Sequence, residues 1–290
     1  MGKGMTKQPI IYTDMDGTLL DHYDYSFTEA IPVMEALAER KIPIIANTSK
    51  TFAEMESIQQ TLGFNAPFIC ENGAAVYIPK GYFTTQPQDT EERGYYWVKS
   101  FCQPRSHWIE VLTTQVTEFK KYYVGFSAMT VESLCSVTEL TPAKAKLALM
   151  REHTEPLLWL GSENIKQQFI EKMQQLGAEM LEGGRFLHVG GQSDKAQAMN
   201  WLTMLYAFER AQTMYTIALG DSGNDIAMLN AADVAVQIKS PVHDFPLLHT
   251  KKPVLKSPYP GPRGWAHCLS ELLLTPSLVE ICDRAANQGA

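Results

Sequence analysis

A chain of 290 residues with 45% hydrophobic content has the length of about two domains and can bury a proper core, which excludes a small disulfide scaffold and a disordered chain. A net charge of -7 argues against a general nucleic-acid or anionic-membrane surface, so any affinity for phosphate must be local. Cys70, Cys102, Cys135, Cys268 and Cys282 form neither a CxxC pair nor a metal spacing, no apolar run approaches the ~18 residues of a membrane helix, and MGKGMTKQP lacks the apolar centre of a signal peptide. A cytoplasmic protein with free thiols is expected.

The apolar run Ile10, Ile11, Tyr12 predicts a short buried strand ending in Asp14-Met15-Asp16-Gly17. In an open parallel sheet, ligands bind beyond the carboxyl ends of the strands, so Asp14 and Asp16 are expected at a crevice. Two crowded carboxylates repel unless a divalent cation uses them, or unless one is a nucleophile and the other a general acid. A calcium loop starting at Asp14 would need Asp or Asn at Thr18, Gly at Leu19 and Glu at Tyr25, and all three fail.

Ser26 is expected to cap a helix through Ile31, Met34, Leu37 and Ala38, with Pro32 tolerated in its first turn. A second buried strand, Ile42 to Ala46, leads into Asn47-Thr48-Ser49-Lys50 and a helix from Thr51 or Phe52 to Leu62 that Gly63 terminates. Pro67 to Cys70 and Ala74 to Ile78 read as strands joined at Asn72-Gly73. Past Pro79 the rhythm changes. A polar stretch runs from Gly81 to Gly94, helical patterns cover Ser106 to Lys121 and Pro142 to Glu152, and a strand-like PLLWLG follows. Next come a helix capped by Ser162 and closed by Gly177, then strands near Glu179 to Leu181 and Phe186 to Val189, together an inserted α+β unit. After Gly190 the strand–helix alternation resumes: a helix capped by Ser193 and running to Phe208, strand Tyr215 to Leu219, a short helix from Asn224 and strand Val234 to Ile238. KSPYPGPRG reads as a loop, and Gly264 to Leu274 as a last amphipathic helix.

Gly220-Asp221-Ser222-Gly223-Asn224-Asp225 stands at another strand's C-terminal end. Its plain reading is a helix N-cap, and the trypsin-like GDSG alternative belongs to disulfide-bearing all-β proteins. Three carboxylates, Asp14, Asp16 and Asp221, with waters would suit one Mg²⁺. Lys195 opens its helix, where the macrodipole opposes a cation by ~0.3–1 kcal/mol unless an anion binds there too.

The set DMDGT, Thr48, Lys195 and GDSGND resembles the four motifs of the haloacid dehalogenase-like (HAD) hydrolases. The large insert after the third strand is similar to the Cof-type (IIB) subfamily. NTSKT, ENGA, REHTEPLLW, GGRFLHV and PGPRGW further resemble the mannosyl-3-phosphoglycerate phosphatase family, over about Pro9 to Val76 and Met129 to Leu274. The stretch Pro79 to Ala128 departs from it, and His153 stands where an aromatic residue is expected. The resemblance implies an α/β fold, a Rossmann-like doubly wound parallel sheet with an inserted α+β cap, divided as a catalytic core of 1–80 and 189–290 and a specificity cap of 81–188.

It also implies roles. Asp14 is the nucleophile, Asp16 the acid and then the base, Thr48 and Lys195 stabilise the phosphoryl group, and Asp14, Asp16, Asp221 and Asp225 hold Mg²⁺. Ser49, Lys50, Glu71, Asn72, Gly73, Arg151, Arg185 and His188 are expected to bind substrate. Arg151 and Arg185 suit a glyceric carboxylate, although Arg151 can equally pair with Glu155 four residues on. The expected activity is Mg²⁺-dependent hydrolysis of mannosyl-3-phosphoglycerate, or its glucosyl counterpart, to make a compatible solute. The alternatives are a sugar phosphatase of broader range and a non-catalytic phosphosugar-binding protein.

Overall fold

The computed structural model describes residues 7–274 except Glu139 and Gly184, so the MGKGMT leader and Cys282 lie outside the described residues. The chain forms two compact units, Gln8–Ile44 with the residues from Tyr215 onward, and Ile45–Met214. In chain order, β1 (Gln8–Thr13) and α1 (Ile31–Glu39) lie in the first unit, and β2 (Ile44–Ala46) carries the chain out of it. The second unit holds α2 (Phe52–Leu62), β3 (Phe68–Cys70), β4 (Ala75–Pro79), β5 (Glu91–Arg93), β6 (Tyr96–Ser100), α3 (Arg105–Thr114) and β7 (Tyr123–Gly125). It continues with α4 (Val131–Thr138), α5 (Pro142–Leu149), β8 (Glu155–Trp159), α6 (Glu163–Gln175), β9 (Glu179–Gly183), β10 (Phe186–Gly190) and α7 (Lys195–Arg210). The chain then returns through β11 (Met214–Gly220), α8 (Ile226–Ala231), β12 (Val234–Lys239), β13 (Val254–Pro260) and α9 (Gly261–Leu269).

The sheet of the first unit has the order β13-β12-β11-β1-β2. β12 runs parallel to both β11 and β13. Counted from the β2 edge, the strands follow the flavodoxin-like order 2-1-3-4-5, whose direction of winding reverses between β1 and β11. At such a reversal the ligand crevice is expected at the carboxyl ends of these two strands. Ile10, Ile11 and Tyr12 are fully buried, as a strand covered on both faces requires.

The segment expected as a loop is instead β13 followed at once by α9. Its prolines carry a loop signal in the sequence. β13 lies at the sheet edge, where a missing N–H leaves no ladder bond unmade. α1 also starts differently, because the 3₁₀ turn Thr28–Ala30 precedes it and its N-cap is Ala30, with no side-chain bond. Ser26 bonds the Thr28 hydroxyl and does not cap the helix.

The second unit carries two antiparallel sheets, β3-β4-β6-β5 and β7-β8-β10-β9. A core built on Trp108, Val111, Leu157, Phe169, Met173 and Leu187 packs against the second sheet. β5, β6, β7 and α4 were not anticipated. Asp194, and not Ser193, caps α7 by accepting from the Gln197 N–H, and Ser162 stands at the N-cap of α6 without a side-chain bond. Among the described residues no helix is long and apolar enough to cross a membrane.

α2 matches the sequence reading at both ends. Thr51 and Glu54 form a reciprocal capping box, and Gly63 closes the helix with φ +66°. Thr51 Oγ1 also donates to the Leu147 carbonyl at 3.0 Å, tying α2 to α5. Thr51→Ala is therefore expected to lower the unfolding free energy by about 1–2 kcal/mol, measured by urea denaturation. A loss below about 0.3 kcal/mol would show that the cap adds nothing to the stability of this unit.

Candidate active site

In the first unit, one carboxylate oxygen each from Asp14, Asp221 and Asp225 lie within 4.8 Å of one another, and all three residues are buried. Asp14 leaves the end of β1 and Asp221 the end of β11, so they flank the strand reversal. The Asp14 N–H donates to the Leu219 carbonyl at 2.9 Å, setting the register of the two strand ends. Trp265 Nε1 on α9 donates to Thr13 Oγ1 at 3.1 Å, and Thr13 Oγ1 donates to the Asp14 carbonyl at 2.7 Å.

Close approach here depends on missing side chains. Gly17 has φ +73°, and a Cβ on it would sit 2.8 Å from Asp221 Oδ2. A Cβ on Gly220 would sit 2.5 Å from the Asp225 side chain. Asp225 Oδ2 accepts from the N–H groups of Asp221 and Ser222 at 3.1 Å each, so this carboxylate also shapes the loop that presents Asp221. Thr18 Oγ1 donates to Asp221 Oδ1 at 3.4 Å. Asp16, half-buried in the turn after Asp14, is not a member of the three-carboxylate group. An all-oxygen set of three buried like charges fits a hard divalent cation, which would relieve their repulsion. His243 Nε2 lies 3.5 Å from Asp221 Oδ2, a neighbour that nothing in the sequence spacing signals.

The second unit gathers Thr48, Ser49, Lys50, Glu71, Asn72, Gly73, Arg151 and Lys195. The Thr48 N–H donates to the Ile69 carbonyl at 3.0 Å, Asn72 N–H to the Thr48 carbonyl at 2.9 Å, and Glu71 N–H to the Lys50 carbonyl at 3.0 Å. The turn after β3 is tight: Glu71, Asn72 and Gly73 all have positive φ. Gly73 has to be glycine, because a Cβ there would stand 2.1 Å from the Asp194 carbonyl oxygen. That contact packs the turn on the start of α7, whose first residue, Lys195, is 1% exposed and accepts Asn47 Nδ2 on its carbonyl at 2.9 Å. A cation buried so completely is costly to desolvate unless an anion accompanies it.

The Glu71 carboxylate is wrapped by the backbone of the REHTE segment, Arg151–Glu155. It accepts from the N–H groups of Glu152 at 2.7 Å and Thr154 at 2.8 Å, from the His153 N–H, and from the Thr154 hydroxyl at 2.6 Å. Burial pushes the Glu71 carboxyl up, but the Arg151 guanidinium 3.5 Å away and these hydrogen bonds outweigh it and hold it below the usual carboxylate range. Arg151 therefore meets Glu71, and the expected alternative pair with Glu155 is not formed, since Glu155 binds Arg105 at 2.5 Å. Arg185 is exposed, and its Nη1 donates to the Val137 carbonyl at 2.6 Å. His188 lies on β10 opposite Pro156.

His153 stands where the resemblance leads one to expect an aromatic residue. It is 4% exposed, and neither ring nitrogen has a hydrogen-bond partner among the described residues. Burial holds the imidazole below its usual pKa, against the upward pull of Glu71 and Glu152. A histidine whose folded pKa is depressed binds its proton more readily in the unfolded chain, so its stability contribution is lost as pH falls through about 6.5. His153→Phe is expected to stabilise the fold by about 1 kcal/mol at pH 7.5 and to flatten the loss of stability between pH 7 and 5.5. Denaturant titrations at the two pH values test this, and an unchanged pH slope would contradict it.

A family model described as haloacid dehalogenase-like hydrolase matches residues 11–242. A protein from Persephonella marina named glucosyl-3-phosphoglycerate/mannosyl-3-phosphoglycerate phosphatase is 36% identical over 265 residues, covering 91% of this chain and 97% of its own. A protein of the same name from Methanococcoides burtonii is 37% identical over 268 residues, with the same coverage of both chains. Among solved structures, a protein from Streptococcus mutans superposes with a TM-score of 0.63 at 16% identity, covering 93% of this chain and 100% of that one. A haloacid dehalogenase-like hydrolase from B. subtilis gives 0.59 at 16% identity, with 91% and 99% covered. These two share the fold.

Proposed function

The chain belongs to the haloacid dehalogenase-like hydrolases, and from that premise we propose that it releases phosphate from glucosyl- or mannosyl-3-phosphoglycerate, yielding the glycosylglycerate. It is a phosphoric monoester hydrolase. The observation that carries the reading is the buried group Asp14, Asp221 and Asp225 at the reversal of strand order, in a chain whose length matches phosphatases of that name almost end to end.

Asp14 attacks phosphorus, and the bond to the glycerate oxygen breaks as Asp16 gives that oxygen a proton. The product of this half is an aspartyl-phosphate on Asp14. Asp16 then takes a proton from water, the water oxygen attacks phosphorus, and the bond to Asp14 breaks to free inorganic phosphate. Asp14, Asp221 and Asp225 are assigned to Mg²⁺, which would supply neutralisation of the phosphoryl charge when bound, and Asp16, outside that group, keeps the proton transfers. Thr48 and Lys195 are assigned to the phosphoryl oxygens, where fixed donors oppose the charge spread over the transition state. Ser49, Lys50, Asn72 and Gly73 line the phosphate-facing loops in this assignment. Arg185 and His188 are assigned to the glycerate end, and residues 81–188 to substrate choice over a core of 1–80 and 189–290. The reaction is assigned to the cytoplasm, where Cys70, Cys102, Cys135 and Cys268 remain free thiols.

Phosphate release from mannosyl-, glucosyl- and unglycosylated 3-phosphoglycerate, each with Mg²⁺, tests the substrate. Turnover of both glycosyl esters well above the bare phosphoglycerate is expected, and equal turnover of many sugar phosphates would favour a broader-range enzyme. Asp14→Asn is expected to lower kcat at least about 100-fold with an unchanged circular dichroism spectrum, about 2.7 kcal/mol of barrier. Retention of a tenth of the wild-type rate would exclude Asp14 as nucleophile. Chelation is expected to silence the protein and Mg²⁺ to restore it, so full activity after exhaustive EDTA treatment would remove the metal from the reading.

A further inference from the structure

Arg151, whose Nε faces Glu71 at 3.5 Å, also reaches the loop that carries Thr48. Its Nη2 donates to the Ser49 carbonyl at 2.7 Å, and its Nε donates to Thr154 Oγ1 at 2.8 Å. The Ser49 carbonyl and the Lys50 N–H are the two ends of one peptide unit, which is planar. That same Lys50 N–H donates to Thr48 Oγ1 at 3.2 Å. Holding the carbonyl end of the plane therefore aims its N–H end, and the N–H fixes which way the Thr48 hydroxyl oxygen faces. A hydroxyl that accepts in this way keeps its proton to donate elsewhere.

Arg151 is itself immobilised. Its side chain is 6% exposed and that of Glu71 1%, and the Glu71 carboxylate is locked by three successive N–H groups and the Thr154 hydroxyl. Glu71 also fixes the far side of the same loop through its backbone, since its N–H donates to the Lys50 carbonyl. The three residues Ser49, Lys50 and Thr48 are thus clamped between the ENG turn and the REHTE loop.

We infer that Arg151 is a positioning residue that sets the Thr48 hydroxyl through the Ser49–Lys50 peptide, and not a ligand of the substrate carboxylate. This rests on the phosphatase reading above, in which Thr48 donates to the phosphoryl group. An aligned donor matters in a transition state whose charge grows on fixed oxygens, so its misalignment lowers kcat more than it raises KM.

The test is a double-mutant cycle of Arg151→Ala and Thr48→Ala, assayed on mannosyl-3-phosphoglycerate and on p-nitrophenyl phosphate, which carries no carboxylate. Each single change is expected to lower kcat by 10- to 100-fold on both substrates, and the double variant to be no worse than Thr48→Ala alone. A loss confined to the phosphoglycerate ester would make Arg151 a carboxylate ligand, and losses that multiply across the cycle would separate it from Thr48. Either result overturns the inference while leaving the phosphatase reading intact. Arg151→Lys guards against a fold defect, because an ammonium can still pair with Glu71 but lacks the planar fork that reaches Ser49 and Thr154 together. Its melting temperature is expected within a few degrees of wild type while kcat falls with Arg151→Ala, and full activity in this variant would contradict the peptide relay. Wild type that neither hydrolyses either ester nor binds orthovanadate would instead refute the phosphatase reading, and this inference with it.

Discussion

Holding three carboxylates together against their own repulsion is the constraint around which the first unit is arranged. Asp14, Asp221 and Asp225 converge because two strands end side by side at the reversal of the sheet, and because Gly17 and Gly220 leave room where a Cβ would collide. Asp225 answers part of the problem locally, since the N–H groups of Asp221 and Ser222 turn their positive ends to its Oδ2. Asp221 in turn meets the Thr18 hydroxyl and His243 Nε2. Three clustered carboxylates of this kind could hold a cation, whereas a purely structural core would gain by replacing them with apolar side chains.

The second unit faces the opposite problem, a buried anion and buried cations placed apart in sequence. Glu71 and the REHTE loop solve it together, because a carboxylate that accepts three backbone N–H groups and faces a guanidinium is stable as an anion even when fully enclosed. One consequence is that the strings ENGA and REHTE, some 80 residues apart, are two halves of a single hydrogen-bonded object.

Much of this was legible in the sequence where the signal is local. The strand before Asp14, the cap and stop of α2, the Asn72-Gly73 turn and the GDSGND loop each declare themselves within a few residues, because turn chemistry and capping act over that range. What escaped was decided at a distance. β5 is the exposed run Glu-Glu-Arg with no apolar residue, and only its pairing with β6 makes it a strand. β13 carries prolines that an edge tolerates. The Glu155 alternative for Arg151 rests on a helix-spaced glutamate visible in sequence, whereas Glu71 is near only after folding. The place of His243 beside Asp221 belongs to the same class.

The bond from Trp265 to Thr13 joins residues 252 positions apart, and it braces the strand end that presents Asp14. Synthesis proceeds from the N-terminus at about 5–20 residues per second, so β1 leaves the ribosome well over ten seconds before the indole that secures it. Through that interval Asp14 follows a strand whose neighbour β11 and brace α9 do not yet exist. A chain ended before α9 therefore lacks the indole that braces the end of β1.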